Sequence, residues 1–304
     1  MLDDRRTALW NALGLGPQWV RRETLIEAKK LLPQPEVPAA VPQQAPAAPV
    51  ARAPIAQAKP AQAPARTAAP ASAQPKAPAP RAPFTAPVSV AKKESTPFVR
   101  PAAAPSPEII KAADWAALTK LVEGCQGCEL CKGRMKTVFA AGEPPAKVVL
   151  IGEGPGRDED IQGIPFVGAA GKLLDKIMNS IGLKRGEGVA IINSVKCRPP
   201  YNRDPLPEEM ATCRPFLERQ IELLDPELIV LLGLPAVKTV LGIEDRLGAL
   251  RGKVFEQEIC GKKRRIIVTY HPAYYLRSRL EKRKAWTDWC FIADTIDAID
   301  GKKA

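Results

Sequence analysis

Apolar positions along the chain fall into two rhythms. Lys147–Ile151 (KVVLI), Val189–Val195, Leu228–Leu232 and Arg265–Thr269 are short apolar runs. They are continuous rather than alternating, which predicts strands buried on both faces. Between them apolar residues recur at helical spacing, over Gly171–Ile181, Pro207–Leu224 and Pro235–Leu241. Further helical patterns cover Pro107–Val122 before the strands and Lys284–Ile299 after them. Strand and helix alternate, so the expected fold class is α/β: a three-layer α/β/α arrangement around a central, mainly parallel four-stranded sheet.

The amino-terminal third reads differently. Arg5–Leu13 predicts an amphipathic helix with Leu9 and Leu13 on one face, broken by Gly14, Gly16 and Pro17. Trp19, Val20, Arg21 and Arg22 follow, and a second helical pattern runs to Leu32. Residues 1–32 are too short to bury a core of their own. Apolar residues on such a segment predict folding on a partner. Residues 33–106 are rich in Pro and Ala and hold most of the 32 prolines. That composition predicts a disordered, semi-rigid extension reaching at most roughly 230 Å at ~3.1 Å per residue. Residues 107–304 are expected to form one folded domain.

Charge and cysteine content narrow the partner and the compartment. The chain carries 45 Lys+Arg against 33 Asp+Glu, formally +12, which suits a polyanion such as nucleic acid. MLDDRRTALW has no apolar signal-peptide core, and no run of 18 apolar residues occurs, so a cytoplasmic, membrane-free setting is expected. Seven cysteines, an odd number, favour metal ligands or free thiols over disulfides in that setting.

The candidate chemistry centres on Ile151–Gly171 (IGEGPGRDEDIQGIPFVGAAG), which joins the first strand to a helix. Open α/β sheets bind ligands at such strand ends. The spacing of Gly152, Gly154 and Gly156 is not a dinucleotide fingerprint, and no Gly-Lys-Ser/Thr follows. Phe166, between Pro165 and Val167, is an aromatic on a stiff loop, suited either to stacking on a flat ligand or to ordinary core packing. Asp158, Glu159 and Asp160 crowd three carboxylates into a basic chain. His271, the only histidine, ends the last strand pattern and is placed at the same sheet edge. Tyr274, Tyr275, Leu276, Arg277 and Arg279 after it interleave aromatic and basic residues, which fits nucleic-acid contact or a plain solvated helix start. Cys125 and Cys128 form a CxxC, with Cys131, Cys197 and Cys213 further on. Four thiolates hold either a zinc ion or an iron–sulfur cluster, and spacing alone does not separate them. On spacing alone Cys131 is also interchangeable with Cys125. Cys260 and Cys290 read as packing residues.

GEGPGRDEDIQGIPFVG, INSVKCRPP and YHPAYYL, in this order and preceded by CxxC, resemble the family 4 uracil-DNA glycosylases, bacterial and archaeal enzymes that carry a [4Fe–4S] cluster. The resemblance covers about residues 107–300 and implies the glycosylase version of the expected fold. It implies uracil-containing DNA as substrate and Cys125, Cys128, Cys197 and Cys213 as cluster ligands, with zinc as the alternative metal. It implies that Phe166 stacks on the extruded uracil and that Asn193 reads its polar edge. Glu153 would position the attacking water, His271 would donate to uracil O2, and Gly154 would line the pocket. Leu276 is the expected wedge in the vacated stack, with Tyr275 as the alternative. A sister group that traps uracil covalently has an extra histidine after the second motif. CRPPYNRDPLPEE has none, so turnover is expected. A non-catalytic glycosylase-like module that only holds nucleic acid is the competing reading.

Arg5-Arg6, Leu13-Gly14-Leu15, Trp19 and Arg21-Arg22 also resemble the amino-terminal peptide of the psi subunit of the bacterial clamp-loader assembly. That resemblance implies that residues 1–32 dock on the clamp loader; the enzyme is expected to be monomeric and nucleoid-associated.

Overall fold

The computed structural model describes residues 4–16, the backbone of 88–89, and residues 100–301. All of these belong to one unit, which spans residues 1–18 and 84–304. The second expected helical pattern, with Trp19, and most of the 33–106 extension lie outside the described residues.

Six strands build one sheet: β1 (Val88–Ser89), β2 (Val148–Gly152), β3 (Val189–Asn193), β4 (Leu228–Leu232), β5 (Val254–Ile259) and β6 (Lys262–Thr269), in the spatial order β1-β5-β6-β4-β2-β3. β3, β2, β4 and β6 are mutually parallel. These are the four strands that the apolar runs predict. β5 is an addition, an antiparallel partner of β6. It escapes the apolar-run test because Glu256, Gln257 and Glu258 occupy its middle. Cys260 at the hairpin turn is exposed and adopts a left-handed conformation (φ 53°), so it is not the packing residue that the sequence suggests. Val88–Ser89 pairs with Phe255 and Glu256, so part of the expected extension adds to the sheet edge.

Alternate residues of each central strand serve opposite faces. Val148, Leu150, Val189, Ile191, Leu228 and Val230 pack under the helices Ala169–Ser180 and Lys282–Ile299. Val149, Ile151, Ala190, Ile192, Ile229 and Leu231 pack under Pro207–Leu224 and Leu234–Leu241. All fifteen residues of β2, β3 and β4 are buried, as are Ile266–Thr269 of β6, which is why these strands read as unbroken apolar runs. The helix expected over Pro107–Val122 is two helices, Pro107–Ala112 and Trp115–Glu123. Asp114 divides them: its carboxylate caps the second by accepting from Ala117 N at 2.8 Å. The folded region also starts earlier than residue 107. The Arg100 guanidinium donates to Thr212 O at 2.7 Å and lies over the Phe216 ring.

The expectation that the amino-terminal segment stands apart from the domain is corrected. Asp4–Ala12 is helical, and Leu9 and Leu13 are fully buried in the same core as Leu174, Trp289 and Ile292. Arg5 pairs with Asp297 at 2.5 Å, Trp10 meets Trp286 edge-on at 5.8 Å, and Lys282 donates to Leu13 O at 2.7 Å. Nine residues are too few to hide an apolar stripe alone, but packing against the helices Ala169–Ser180 and Lys282–Ile299 hides it.

Candidate active site

The carboxyl ends of β2, β3 and β6 open into a cleft of about 440 Å³. Backbone pairing of Gly152 with Asn193 sets the end of β3 directly beside the start of the Glu153 loop. Glu153, Gly154, Phe166, Asn193 and His271 all line this cleft. Of the residues given a first-choice catalytic or base-contact role from sequence, Leu276 is the one outside it; it is 42% exposed on the helix Pro272–Arg277. Tyr275, the alternative wedge, is fully buried with its hydroxyl 3.3 Å from the Thr269 hydroxyl, which removes it from that role.

The loop after β2 is held by its own carboxylates. Glu159 accepts from Gly156 N at 3.1 Å, Val167 N at 3.0 Å and Gly168 N at 2.9 Å, tying both ends of the loop together. Asp160 is buried and accepts from Met135 N at 2.9 Å and Lys136 N at 3.3 Å, joining the loop to the segment after the CxxC. The carboxylate cluster that looks odd in the sequence thus satisfies backbone donors. Phe166 is left-handed (φ 56°), a conformation that costs an aromatic residue about 1–3 kcal/mol. Arg185 holds it there, donating to Pro165 O at 2.6 Å and Phe166 O at 2.9 Å while paired with Asp175. Gly171 lets the following helix pass under this strained turn, since a Cβ there would lie 1.8 Å from Phe166 O. Gly152 is equally constrained: its missing Cβ would sit 2.5 Å from Asn193 Oδ1 and 2.6 Å from the Phe166 ring.

Three groups define the chemistry available. Asn193 is buried, and its Oδ1 has no hydrogen-bond partner among the described residues. An unmet buried acceptor on a cleft wall is a place for a ligand donor. The Phe166 and His271 rings lie 5.2 Å apart, tilted by 31°. His271 caps its helix, Nδ1 accepting from Ala273 N at 3.2 Å. That bond assigns the proton of the neutral ring to Nε2, which becomes a donor. Burial, and then the positive charge of Arg277, push its pKa down to about 4, so the ring is neutral near pH 7. Burial first, then the nearby Asp204 carboxylate, push Glu153 up to about 7, with Arg277 opposing. Asp204 and Arg185 are invisible to sequence reasoning as site residues. They act through loops whose folding no periodicity encodes.

Just past the end of β3, Cys125, Cys128, Cys131, Cys197 and Cys213 line one recess with Arg134 and Lys196. Arg134 donates to Cys197 Sγ at 3.1 Å. Burial pushes the Cys197 thiol up to about 11 and the Cys213 thiol up to about 12. Cys125 is near enough to raise both Cys128 and Cys197, whereas Cys131 adds to Cys128 alone of these two. Among the described residues no three ligand side chains converge to chelate a single ion. Soft sulfur donors beside two cations nevertheless fit an anionic thiolate cluster as a donor set. Lys196 is fully buried and donates to Asn193 O at 2.6 Å, so the recess and the cleft share a structural member.

Comparison with known proteins follows the same outline. The family model described as "Uracil DNA glycosylase superfamily" matches residues 139–290. The type-4 uracil-DNA glycosylase of Archaeoglobus fulgidus is 45% identical over 163 residues, covering 52% of this chain and 81% of that enzyme. The type-4 enzyme of Thermotoga maritima is 42% identical, covering 53% of this chain and 83% of its own length. The type-5 uracil-DNA glycosylase of Pyrobaculum aerophilum is 31% identical over 147 residues, 43% of this chain and 63% of that enzyme.

Proposed function

The chain belongs to the uracil DNA glycosylase superfamily, and from that premise we propose how its cleft removes uracil from DNA. The activity is that of a repair hydrolase: water replaces the base on the sugar, and an abasic site remains. The observation that carries the assignment of residues is the unpartnered Oδ1 of Asn193 in the cleft that Phe166 and His271 also line.

A base must leave the stack to be worked on. Phe166 offers the extruded ring a flat face. Asn193 accepts from uracil N3–H through Oδ1 and donates to O4 through its amide nitrogen. Cytosine presents the opposite pattern and leaves both groups unpaired, which is the stronger form of discrimination. As the glycosidic bond lengthens, the sugar gains oxocarbenium character and uracil becomes anionic. His271 Nε2–H donates to O2, where that charge gathers, and a neutral donor already in place needs no reorganisation. Glu153 orients water toward the sugar carbon and takes its proton, Gly154 leaves room beside it, and Leu276 fills the gap left in the stack. Without the trapping histidine, the product is released and the enzyme turns over.

Cys125, Cys128, Cys197 and Cys213 are the proposed ligands of a [4Fe–4S] cluster, with zinc as the alternative. When bound it would supply a rigid node linking the CxxC segment, the end of β3 and helix Pro207–Leu224. Iron and acid-labile sulfide near four each per chain, with brown colour, support the cluster; colourless zinc-loaded protein sinks it. Residues 1–32 remain a candidate clamp-loader contact, although Leu9 and Leu13 are committed to the chain's own core. Loss of clamp-loader capture on Trp19→Ala tests that contact. Among the described residues no helix is long and apolar enough to cross a membrane; a monomeric, nucleoid-associated enzyme is part of the same proposal.

The decisive test is excision. The protein is incubated with single- and double-stranded uracil oligonucleotides and then alkali. Strand breaks at the uracil position are expected, and their absence overturns the reading.

A further inference from the structure

The turn after β3 displays a side chain that the pocket does not use. Pro199, Asn202, Arg203 and Asp204 line the cleft, whereas the ring of Tyr201 between them is 99% exposed. Among the described residues no other large apolar side chain is as exposed, Leu280 coming next at 92%. Tyr201 and Asn202 are both left-handed, each with φ 56°. A bulky residue in that region is an outlier, and two in succession need outside support.

The support is present. Asn202 N donates to Pro199 O at 3.1 Å and Arg203 N to Pro200 O at 3.2 Å. Arg198 Nε donates to the Asn202 side chain at 2.6 Å. The Arg203 guanidinium grips Glu209 through two bonds, at 2.8 and 2.6 Å, and Glu209 also accepts from Leu206 N. A braced turn therefore spends backbone strain to hold an aromatic ring in water at the rim of the cleft. Burial does not explain the ring, and its hydroxyl makes no bond among those described. The same turn carries Arg198, a cation that a phosphate backbone would meet, while the Arg203 charge is taken up by Glu209.

We propose that Tyr201 is a base-stacking contact, its ring packing on a nucleobase that flanks the extruded uracil. It would hold the strand at the cleft mouth from the β3 side, while Leu276 stands on the β6 side. A ring face accepts any base, so the contact sets affinity rather than sequence preference. The inference rests on the cleft being the uracil pocket.

The test uses the full chain and single-stranded uracil oligonucleotides with 2-aminopurine on one or the other side of the uracil. Tyr201→Ala is expected to raise KM by roughly fivefold or more while kcat stays within about twofold, the pattern of lost uniform binding. Inhibition by free uracil, which reads the pocket alone, stays unchanged. Quenching of one flanking 2-aminopurine is lost. Tyr201→Gly keeps the left-handed turn without the ring and should behave like Tyr201→Ala; Tyr201→Trp should restore KM and quenching. Unchanged KM and quenching in Tyr201→Ala overturn the proposal. So does a weakened Tyr201→Trp, or a Tyr201→Gly variant that behaves as wild type, because then turn geometry and not the ring matters. Wild-type protein that excises no uracil brings down the pocket reading instead, and the inference with it.

Discussion

Burial sets the working charge of the two titratable groups in the cleft. Glu153 is raised to about 7 by burial and by Asp204, and His271 is lowered to about 4 by burial and by Arg277. A water-orienting Glu153 works as the carboxylate, so kcat/KM should rise with pH through about 7 and then level. His271 is neutral throughout that range and adds no limb. A pH–rate profile checks this, and an unchanged limb in Glu153→Gln would assign it to another group. The fold should feel the same group with the opposite sign. Its folded pKa lies above the ordinary 4.5, so its stabilising contribution is complete below pH 4.5 and is lost as pH rises through about 7. Glu153→Gln should therefore melt with wild type at pH 4 and above it at pH 9. The polar contacts to the base are a separate matter. His271→Ala and Asn193→Ala should each cost about 2–4 kcal/mol in kcat, the scale of one lost oxyanion donor. Single-turnover excision measures it, with cluster content unchanged. A fully active Asn193→Ala would mean that Oδ1 faces something other than uracil.

At the level of elements, legibility followed burial. β2, β3, β4 and β6 were readable because both faces are covered, and Pro207–Leu224 because Cys213, Phe216, Leu217, Ile221 and Leu224 recur at helical spacing. β5 was not readable, because its partly exposed middle mixes Glu and Gln into the run. Helix Arg157–Gln162 was hidden too. Its acids read as loop charge, yet Glu159 and Asp160 are spent on backbone N–H groups supplied from elsewhere. The cleft residues Glu153, Phe166, Asn193 and His271 were legible through motif resemblance, with Glu153, Asn193 and His271 at or just past strand ends and Phe166 further along the loop after β2. Asp204 and Arg185 were not, because their effect depends on which loops meet. The cysteine recess permits a sharper test. Cys197 is buried beside Arg134 and Cys128, whereas Cys260 sits exposed on the β5–β6 turn. Cys197→Ser should lower soluble yield and visible absorbance, and Cys260→Ser should change neither. Equal loss in both would point to general thiol sensitivity rather than a ligand set.

For the whole molecule the question is what the first helix is for. A chain at +12 needs no extra basic arm to find DNA, and steep loss of binding with salt follows from phosphate neutralisation alone. The helix Asp4–Ala12 instead spends its apolar residues inward. Leu9 and Leu13 fill the core against Ala169–Ser180 and Lys282–Ile299, and Arg5 and Arg6 face Asp297 and Asp294. The surface ion pairs are worth little, since exposed pairs contribute about 0–1 kcal/mol. The leucines carry the attachment: truncating a buried leucine to alanine costs about 2–5 kcal/mol. For a domain of this size each kcal/mol moves Tm by roughly 2–4 °C. Leu9→Ala and Leu13→Ala should therefore each lower the melting temperature clearly, and Arg5→Ala should barely move it. Excision at 25 °C should persist in all three, because no residue of Asp4–Ala12 lines the cleft. Thermal melts of the full chain decide between the two readings of this segment. If Leu9→Ala leaves Tm unchanged, the leucines are free to serve a partner, and the docking read from sequence regains its ground. If Tm falls, a partner that uses them must first unfold part of the enzyme.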